Sequence, residues 1–401
     1  MNRTFLLLAL GTFLALPLGA QEVVPRITLA GRGLVSLNGG LLDRFQGDRW
    51  STDFEQMAAD FSDTHVLLRL DRKIYGINRN QVAGTVLGLT FPDAESPAGP
   101  VYFSQAHFFW WSRNWEFLVG RARLENFVVE FPTLRDDDLL DYAFVRNAFL
   151  YTEAPEYELY GNLARFSLYQ GQSRWQETFQ VASLTQTDAE GRTEAELAGI
   201  QMVSAEVAYR LPEPLRFSGP FRKIGLRLDL QPLEDSGNRW LSTVTAGADI
   251  NLSPNPLANW RLRVQTQYTP GQDGIAVQDL AIPARAARAR SFGGVVSLSF
   301  LRRQYQVPRL LVALTGALRS YPDQETWRAK AIAGVFYQIG AEVDVGLQYE
   351  AEAVSRGLRD ALGFRNSHSL KLLFSFEYEA LFNHYFTDRE TLLNLEHGFA
   401  P

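Results

Sequence analysis

Hydrophobic and polar residues alternate along this chain, most clearly over residues 370–386. Eight of the nine positions of one parity there are apolar: Leu370, Leu372, Phe374, Phe376, Tyr378, Ala380, Phe382 and Phe386. Most positions of the other parity carry lysine, serine, glutamate or asparagine. Side chains of a strand point to opposite faces in turn, so this pattern predicts a strand with one apolar face. Its length of about 17 residues exceeds the usual 3–10 of soluble strands and the roughly 9–11 that cross a bilayer.

The same alternation, bounded by turn residues, predicts about sixteen strands along the chain. They lie near residues 26–37, 64–75, 81–91, 100–111, 115–124, 156–169, 175–187, 196–210, 222–231, 240–252, 260–270, 290–301, 309–319, 327–338, 340–353 and 367–386. The pattern is plainest in the second half. A merged or split hairpin would change the count to about 14 or 18.

The predicted connectors alternate along the chain between mostly short and longer ones. The longer set lies near residues 38–63, 92–99, 125–155, 188–195, 232–239, 271–289, 320–326 and 354–366. Antiparallel strands that cross a bilayer produce this alternation, with short periplasmic turns and longer outer loops. The exception is 211–221, which is long for a turn and contains three prolines. We therefore predict an all-β fold: a closed antiparallel transmembrane β-barrel.

A soluble β-sandwich or β-propeller is the alternative fold. Soluble strands average about 5–6 residues, and a propeller repeats every 40–50 residues or so; the chain shows neither. Aromatic side chains near strand ends fit the two interfacial girdles of a membrane barrel better. The tryptophans concerned are Trp50, Trp110, Trp111, Trp115, Trp175, Trp240, Trp260 and Trp327.

The N-terminus carries the pattern of a secretory signal. Arg3 precedes an apolar stretch at 5–18, and the small residues Gly19 and Ala20 follow it. This predicts a signal peptide over 1–20, cleaved near Ala20, and a barrel over 21–386. An uncleaved anchor helix is disfavoured, because a spanning helix needs about 20 apolar residues and Pro17 interrupts this one.

The composition narrows the functional classes. The chain contains no cysteine, which excludes a lipid-modified N-terminal cysteine, disulfides and thiolate metal sites. A formal net charge of −6 gives no reason to expect a nucleic-acid partner.

Residues 387–401 predict a short periplasmic helical tail after the last strand. Thr387 and Glu390 have the spacing of a capping box, and Gly398 is suited to end the helix. A frayed tail is the alternative.

With its signal peptide, alternating connectors and aromatic-rich last strand, the chain resembles the bacterial outer-membrane porins. The resemblance is architectural and covers the whole mature chain. It implies an outer-membrane channel in contact with lipid and lipopolysaccharide, assembled as a homotrimer, through which small hydrophilic solutes diffuse. It also implies that the barrel assembly machinery reads a final aromatic residue, here Phe386, although residues 387–401 follow it.

The third long connector, at 125–155, is unusually apolar for a loop. Large exposed apolar patches are uncommon, so the connector is not expected to lie wholly in water. The resemblance implies that it folds inward and narrows the pore. Its acidic residues are Asp136, Asp137, Asp138 and Asp141, and such a run favours a hydrated loop. An extra membrane hairpin, giving about eighteen strands, is the alternative.

Several basic residues fall on positions predicted to face the lumen. They are Arg121, Arg123, Lys223, Arg227, Arg261, Arg263, Arg309, Arg328 and Lys330. Arg121 and Arg123 share the parity of apolar neighbours, so their placement requires a β-bulge at Gly120. A charged residue that faces lipid at mid-depth costs about 2–4 kcal/mol, which favours the bulge.

Acidic residues predicted to face them include Glu342, Asp344 and Glu350, besides the four aspartates of the third connector. Ladders of charge set the selectivity of pores, and the clustered basic residues predict a weak preference for anions. The ordinary alternative is that any water-filled barrel must be lined with polar groups.

No catalytic motif is present: the sequence lacks H-E-x-x-H, G-x-S-x-G and a phosphate-binding glycine loop. An exterior Ser–His pair is too sparse a signal to recognise in one sequence. We therefore expect a channel without enzymatic activity, cofactor or metal. The alternative functions are a barrel transporter for a specific hydrophobic or polar substrate and a structural or adhesive outer-membrane protein.

Overall fold

The computed structural model describes part of the chain. The described residues are 26–46, 49–60, 64–74, 81–91, 102–112, 114–123, 128–129, 160–169, 175–184, 186–187, 193–194, 202–210, 221–232, 240–253, 255, 257–270, 290–304, 307–322, 325–339, 343–357, 359 and 364–382. The predicted signal peptide, the tail 387–401, Phe386, Glu342 and the four connector aspartates lie outside it. Within these ranges, no helix combines the length and the apolar character needed to span a membrane.

Most of the described residues belong to strands, which form one large antiparallel sheet and a small separate hairpin. The strands are β1 (Arg26–Gln46), β2 (Arg49–Asp60), β3 (Thr64–Ile74), β4 (Gln81–Phe91), β5 (Tyr102–Trp111), β6 (Trp115–Arg123), β7 (Tyr160–Tyr169), β8 (Trp175–Leu184), β9 (Gln186–Thr187), β10 (Thr193–Glu194), β11 (Met202–Arg210), β12 (Phe221–Pro232), β13 (Trp240–Asn251), β14 (Ala258–Thr269), β15 (Ser291–Gln304), β16 (Val307–Tyr321), β17 (Thr326–Gln338), β18 (Val343–Val354) and β19 (Phe364–Phe382). The hairpin is β9–β10.

The large sheet closes on itself through β1. One edge of β1 pairs with the last strand, β19, and the other edge pairs with β2 and β3. Because β2 and β3 pair with successive parts of β1, they share one position, and the seventeen strands of the sheet make a wall of sixteen positions. The predicted closed antiparallel barrel of about sixteen strands is therefore confirmed. The end with mostly short turns is the periplasmic end of such a barrel.

The first predicted outer connector, at 38–63, is wrong. β1 continues to Gln46, and β2 begins at Arg49. The glycine pair Gly39–Gly40 suggested a turn, but both residues pair with β19, opposite Leu370 and Ser369. Pairing along almost the whole of β1 holds these glycines in an extended conformation.

The two faces of the wall differ as the alternation predicts. On β12, Ile224, Leu226 and Leu228 are 45%, 56% and 40% exposed, whereas Arg227 between them is 1% exposed. The apolar side chains face outward and the charged ones face the lumen. A belt of exposed apolar side chains around a closed barrel is the surface that lipid covers.

Aromatic pairs mark the periplasmic end of the outer surface. Three such pairs join neighbouring strands near short turns: Trp110–Trp115, Trp175–Tyr209 and Trp260–Phe300, with ring centroids 5.4, 5.7 and 5.0 Å apart. Trp327 is exposed at the opposite end. Trp111 does not belong to this girdle, because it packs beside Phe109 on the lumen side.

The β-bulge predicted at Gly120 is absent, because the pairings of β6 with β5 and β7 run past this residue without a register shift. Gly120 adopts a φ of 127° without adding a residue to the ladder. Arg121 therefore keeps the outward parity of Val119, and its Nε donates to the Phe103 carbonyl oxygen at 2.9 Å. Arg121 lies near the outer end of β6. A charged side chain that faces lipid costs only about 0–1 kcal/mol near the membrane interface. The side chain of Arg123 lies outside the described part.

Replacing Gly120 by alanine is expected to destabilise the barrel by about 1–3 kcal/mol. A Cβ at this position would lie 2.5 Å from the Ala106 carbonyl oxygen, at a φ that disfavours any L side chain. Urea unfolding of the refolded protein in detergent micelles measures the loss. Gly316→Ala is the control, because a Cβ there meets nothing within 4 Å. Equal stability of the two variants would contradict the strain assigned to Gly120.

Candidate functional site in the lumen

Val128 and Val129 of the third connector lie inside the barrel. They are 1% and 2% exposed, and their backbone N–H groups both donate to Oε1 of Gln265, at 2.8 and 3.0 Å. Gln265 faces the lumen from β14 and is fully buried. These two valines lie only a few residues after the end of β6 in the sequence. The predicted inward fold of the third connector is present in this segment.

The two valines pack on a row of three small residues and Gln265 in the wall. Ala208, Gly225, Gly247 and Gln265 lie directly opposite one another on β11, β12, β13 and β14. We call these four residues the seat. A Cβ at Gly225 would lie 2.8 Å from Cγ1 of Val128, and one at Gly247 would lie 2.8 Å from Cγ2 of Val129. The missing side chains make room for the inward segment.

Removing the amide of Gln265 is expected to loosen the inward segment. In Gln265→Ala, two buried N–H groups lose their acceptor, and water in the lumen restores only part of the lost hydrogen bonding. The attachment of the segment to the wall should therefore weaken by about 1–3 kcal/mol. Single-channel recording should show a noisier open state with a higher mean conductance. Gln348→Ala is the control, because Gln348 is a buried lumen glutamine that donates to Glu350 in the wall. Identical recordings from both variants would contradict an anchoring role for Gln265.

A balanced group of charges lines β11 and β12. Arg227 donates from Nε to Oδ1 of Asp229 at 2.8 Å, and its Nη1 lies 3.8 Å from Oε2 of Glu206. Lys223 lies 2.9 Å from the same glutamate. Two cations and two carboxylates therefore neutralise each other, as buried charges require.

The next group, on β13 and β14, carries more positive than negative charge. Asp249 forms an ion pair with Arg261, and the Nε of Arg263 lies 3.9 Å from the same carboxylate. Arg263 also donates to the Ser299 hydroxyl at 3.2 Å. Two guanidinium groups thus share one carboxylate. This group lies on β13 and β14, nearer to their periplasmic ends than the seat.

The opposite wall contains a second group with an excess of positive charge. On β17–β19, Glu350 lies 3.3 Å from Nζ of Lys330 and 2.7 Å from Nζ of Lys371. Beside it, Arg328 forms an ion pair with Glu352. Three cations share two carboxylates here.

On β3–β7 the charges are balanced again. Arg69 forms an ion pair with Asp71 and lies over the Phe109 ring, 4.8 Å from its centroid. Arg165 lies 3.5 Å from Glu116. Among the described side chains, the lumen therefore does not divide into an acidic and a basic wall. Each group contains both signs, and the positive excess is local.

The remaining predicted site residues are less informative. Arg309 donates to the Gln338 carbonyl oxygen at 3.3 Å, near the periplasmic end of β16. Asp344 belongs to β18, but its side chain lies outside the described part. In the part of the chain that the structure covers, no three histidine, aspartate or glutamate residues are grouped to hold a metal ion.

An apolar cluster on the lumen face was not predicted. Phe336 is buried with Leu373, and Leu311 packs against them. The Phe336 ring lies over Gly334 and Gly346, where an added Cβ would come within 2.7 and 2.2 Å of the ring carbons. The sequence offered one signal, the two glycines, but only the pairing of β17 with β18 brings them beneath the same ring.

The sequence matches no protein-family model, and no curated protein matches it either. Solved structures match the fold. The outer membrane channel DcaP of Acinetobacter baumannii is 12% identical, with a TM-score of 0.58 over 90% of this chain and 100% of that one. An anion-selective porin from Comamonas acidovorans is 13% identical, with a TM-score of 0.58 over 88% and 100%. OprB of Pseudomonas putida is 9% identical, with a TM-score of 0.57 over 88% and 94%. The fold is thus that of bacterial outer-membrane porins.

Proposed function

We propose that the protein is a porin that lets small hydrophilic solutes diffuse passively through its lumen, with a weak preference for anions. The observation that carries the proposal is the seating of Val128 and Val129 inside a barrel of sixteen positions. An inward segment held on the wall narrows a passage without filling a barrel of this size. The activity requires neither chemical turnover nor a cofactor.

The size of the barrel supports a passage for water and solutes. Barrels of about 16–18 strands enclose an aqueous channel, whereas about eight strands are filled by their own side chains. In this lumen, polar and charged side chains such as Arg227, Gln265 and Gln348 are nonetheless almost fully buried. The open passage is therefore much narrower than the wall, which limits it to small solutes.

The anion preference rests on the two groups with excess positive charge. Asp249 is shared by two arginines, and Glu350 is shared by two lysines. A passing anion meets a positive field at both groups, while a cation is repelled. One of the similar structures is an anion-selective porin, but at 13% identity that likeness supports only the fold.

The proposal places the barrel in a bacterial outer membrane. Its exposed apolar belt would contact lipid and lipopolysaccharide, and its assembly would require the barrel assembly machinery. We also propose a homotrimer, the state implied by the resemblance to porins. Chemical crosslinking of intact cells, followed by electrophoresis without heating, would give a trimer band; a monomer alone would overturn this part.

Conductance in a planar lipid bilayer tests the channel function. Refolded full-length protein added to one side should produce stepwise ohmic openings in potassium chloride, and heat-denatured protein should produce none. In a salt gradient, the reversal potential should have the sign of a weakly anion-selective pore. A correctly folded barrel that inserts without carrying current would overturn the proposal.

A further inference from the structure

Four successive strands of the barrel wall, β14–β17, contain no aspartate or glutamate. Elsewhere in the described wall, at most two successive strands lack a carboxylate. The lumen face of β14–β17 carries positive charge from Arg263, Arg319 and Lys330, all of which are buried. The carboxylates that pair with Arg263 and Lys330 belong to the neighbouring strands β13 and β18. An anion that follows these four strands therefore passes cations and neutral polar groups, but no carboxylate of the same strands.

Gln265, on β14, has a hydrogen-bond donor that the inward segment does not use. Its Oε1 accepts from the backbone N–H groups of Val128 and Val129, at 2.8 and 3.0 Å. These two bonds fix the orientation of the amide, because only its oxygen can accept. The Nε2 atom is buried and has no hydrogen-bond partner among the described residues. A buried N–H group without an acceptor is unfavourable, so a ligand that accepts from Nε2 would be stabilised there.

The packing of the two valines shows which way this donor faces. They contact the positions of Gly225 and Gly247, on the β12–β13 side of Gln265. The Oε1 atom of Gln265 therefore points toward that side. The Nε2 atom is the other branch of the planar amide, so it is directed toward the lumen in front of β15, where Val295 lies directly opposite Gln265.

Two further donors lie beside Gln265, one row nearer the periplasm. Arg263 is the next lumen residue of β14, and Ser297 lies directly opposite it on β15. Each of the three residues thus lies within about 7 Å of a neighbour along the wall. The Oγ atom of Ser297 accepts from the Thr315 hydroxyl at 2.8 Å, so the hydrogen of Ser297 can be donated to a ligand. An amide, a hydroxyl and a guanidinium group therefore converge on one part of the lumen.

We propose that Gln265, Arg263 and Ser297 form a binding site for the carboxylate group of a small organic acid in transit. This inference rests on the proposed channel function and names the class of solute that the lumen favours. One guanidinium and two neutral donors match the single charge and the two oxygen atoms of a carboxylate. A spherical chloride ion gains less from donors in fixed directions. Because Arg263 also faces Asp249, the site holds an anion weakly enough to release it, as conduction requires.

Single-channel recording in mixtures of potassium chloride and potassium acetate, at constant potassium concentration, tests the site. In the wild type, the first additions of acetate should lower the conductance below the straight line between the two pure salts, because bound acetate slows chloride. A straight line in a channel that conducts chloride would overturn this inference alone. The absence of any current in pure potassium chloride would overturn the channel function itself.

Gln265→Glu separates the binding of anions from the anchoring of the inward segment. Glutamate keeps an oxygen for the two valine N–H groups and replaces only the Nε2 donor. The acetate concentration that gives half of the drop should rise at least about tenfold. Gln180→Glu is the control, because it adds the same charge to the lumen on β8, opposite Arg165, and should leave the curve within about twofold of the wild type. Equal shifts in both variants would assign the effect to the general field of the lumen and overturn the site.

A second pair of variants tests the site without a change of charge. Ser297→Ala removes one of the three donors, so the half-effect concentration of acetate should rise severalfold. Ser167→Ala removes a buried hydroxyl from β7, where it is hydrogen-bonded to Thr178 at 3.1 Å, and should have no effect. A wild-type curve from folded Ser297→Ala would overturn the proposed site.

Discussion

Replacing Gly247 by leucine is expected to raise the single-channel conductance severalfold. A first added carbon would already lie 2.8 Å from Cγ2 of Val129 and 3.0 Å from Cβ of Val128. Overpacking of this kind costs about 1–3 kcal/mol. The two hydrogen bonds to Gln265 contribute about 0.5–1.5 kcal/mol each, so the steric cost is comparable to the free energy that holds the segment on the wall.

The matched control for this variant is Gly316→Leu. Gly316 belongs to the same wall, but it faces outward and has no neighbour within 4 Å of its built Cβ. It should leave the conductance at the wild-type value. An unchanged conductance in folded Gly247→Leu would show that the seated segment does not narrow the passage.

Neutralising the arginines at Asp249 is expected to reverse the ion preference of the channel. Arg261→Gln with Arg263→Gln changes the summed formal charge of Asp249, Arg261 and Arg263 from +1 to −1, because two guanidinium charges are removed and the carboxylate stays. Two unit charges at about 4 Å in water contribute about 1 kcal/mol, so each unit removed changes the local ion concentration roughly fivefold. The reversal potential in a potassium chloride gradient should therefore shift toward that of a cation-selective pore.

The opposite variant provides the control. Asp249→Asn leaves both arginines in place and raises the charge of the group to +2, so the reversal potential should shift toward stronger anion selectivity. If both variants shift the potential in the same direction, the effect comes from altered folding. If neither shifts it, solutes do not pass this group.

The alternation alone predicts the wall because it is a local property. On β12, the sequence of Ile224, Arg227 and Leu228 already separates an outward from a lumen face, and the structure agrees. Each side chain's face follows from its parity, whatever strand it pairs with. The same reasoning succeeds for Lys223, Arg261, Arg263 and Lys330, all of which point into the lumen and take part in ion pairs there.

The seat could not be predicted, because it depends on the exact register of four successive strands and on a segment 136 or 137 residues before Gln265. Gly225, Gly247 and Gln265 form a row only when two successive strand pairings, β12–β13 and β13–β14, have the correct register. In the sequence, each glycine is simply a weak strand residue. The lack of information on strand register also explains the wrong prediction of a turn at Gly39–Gly40. There, pairing with β19 overrides the local preference of the glycines.

The ion pairs were missed for a related reason. Lys223 and Glu206 belong to different strands, and only the β11–β12 register brings them to 2.9 Å. Without that register, acidic and basic residues could be counted but not assigned to one another. At Gly120 the parity argument predicted an inserted residue that the ladder does not contain, so Arg121 keeps the outward face.

A pair of cysteines shows whether the third connector enters a conducting lumen and rests on the β12–β13 wall. The chain contains no cysteine, so Val128→Cys and Gly247→Cys introduce the only two thiols. A built Cβ at Gly247 lies 3.0 Å from Cβ of Val128, close to the separation of about 3.5–4.5 Å in a disulfide.

The refolded double variant is expected to form this disulfide under mild oxidation, to lose reactivity with maleimide, and to conduct ions in bilayers with an inward segment that no longer fluctuates. Each single-cysteine variant should stay fully reactive. Two thiols that remain reduced and accessible in a folded barrel would contradict the seated segment, and a folded barrel that carries no current in either redox state would contradict the channel.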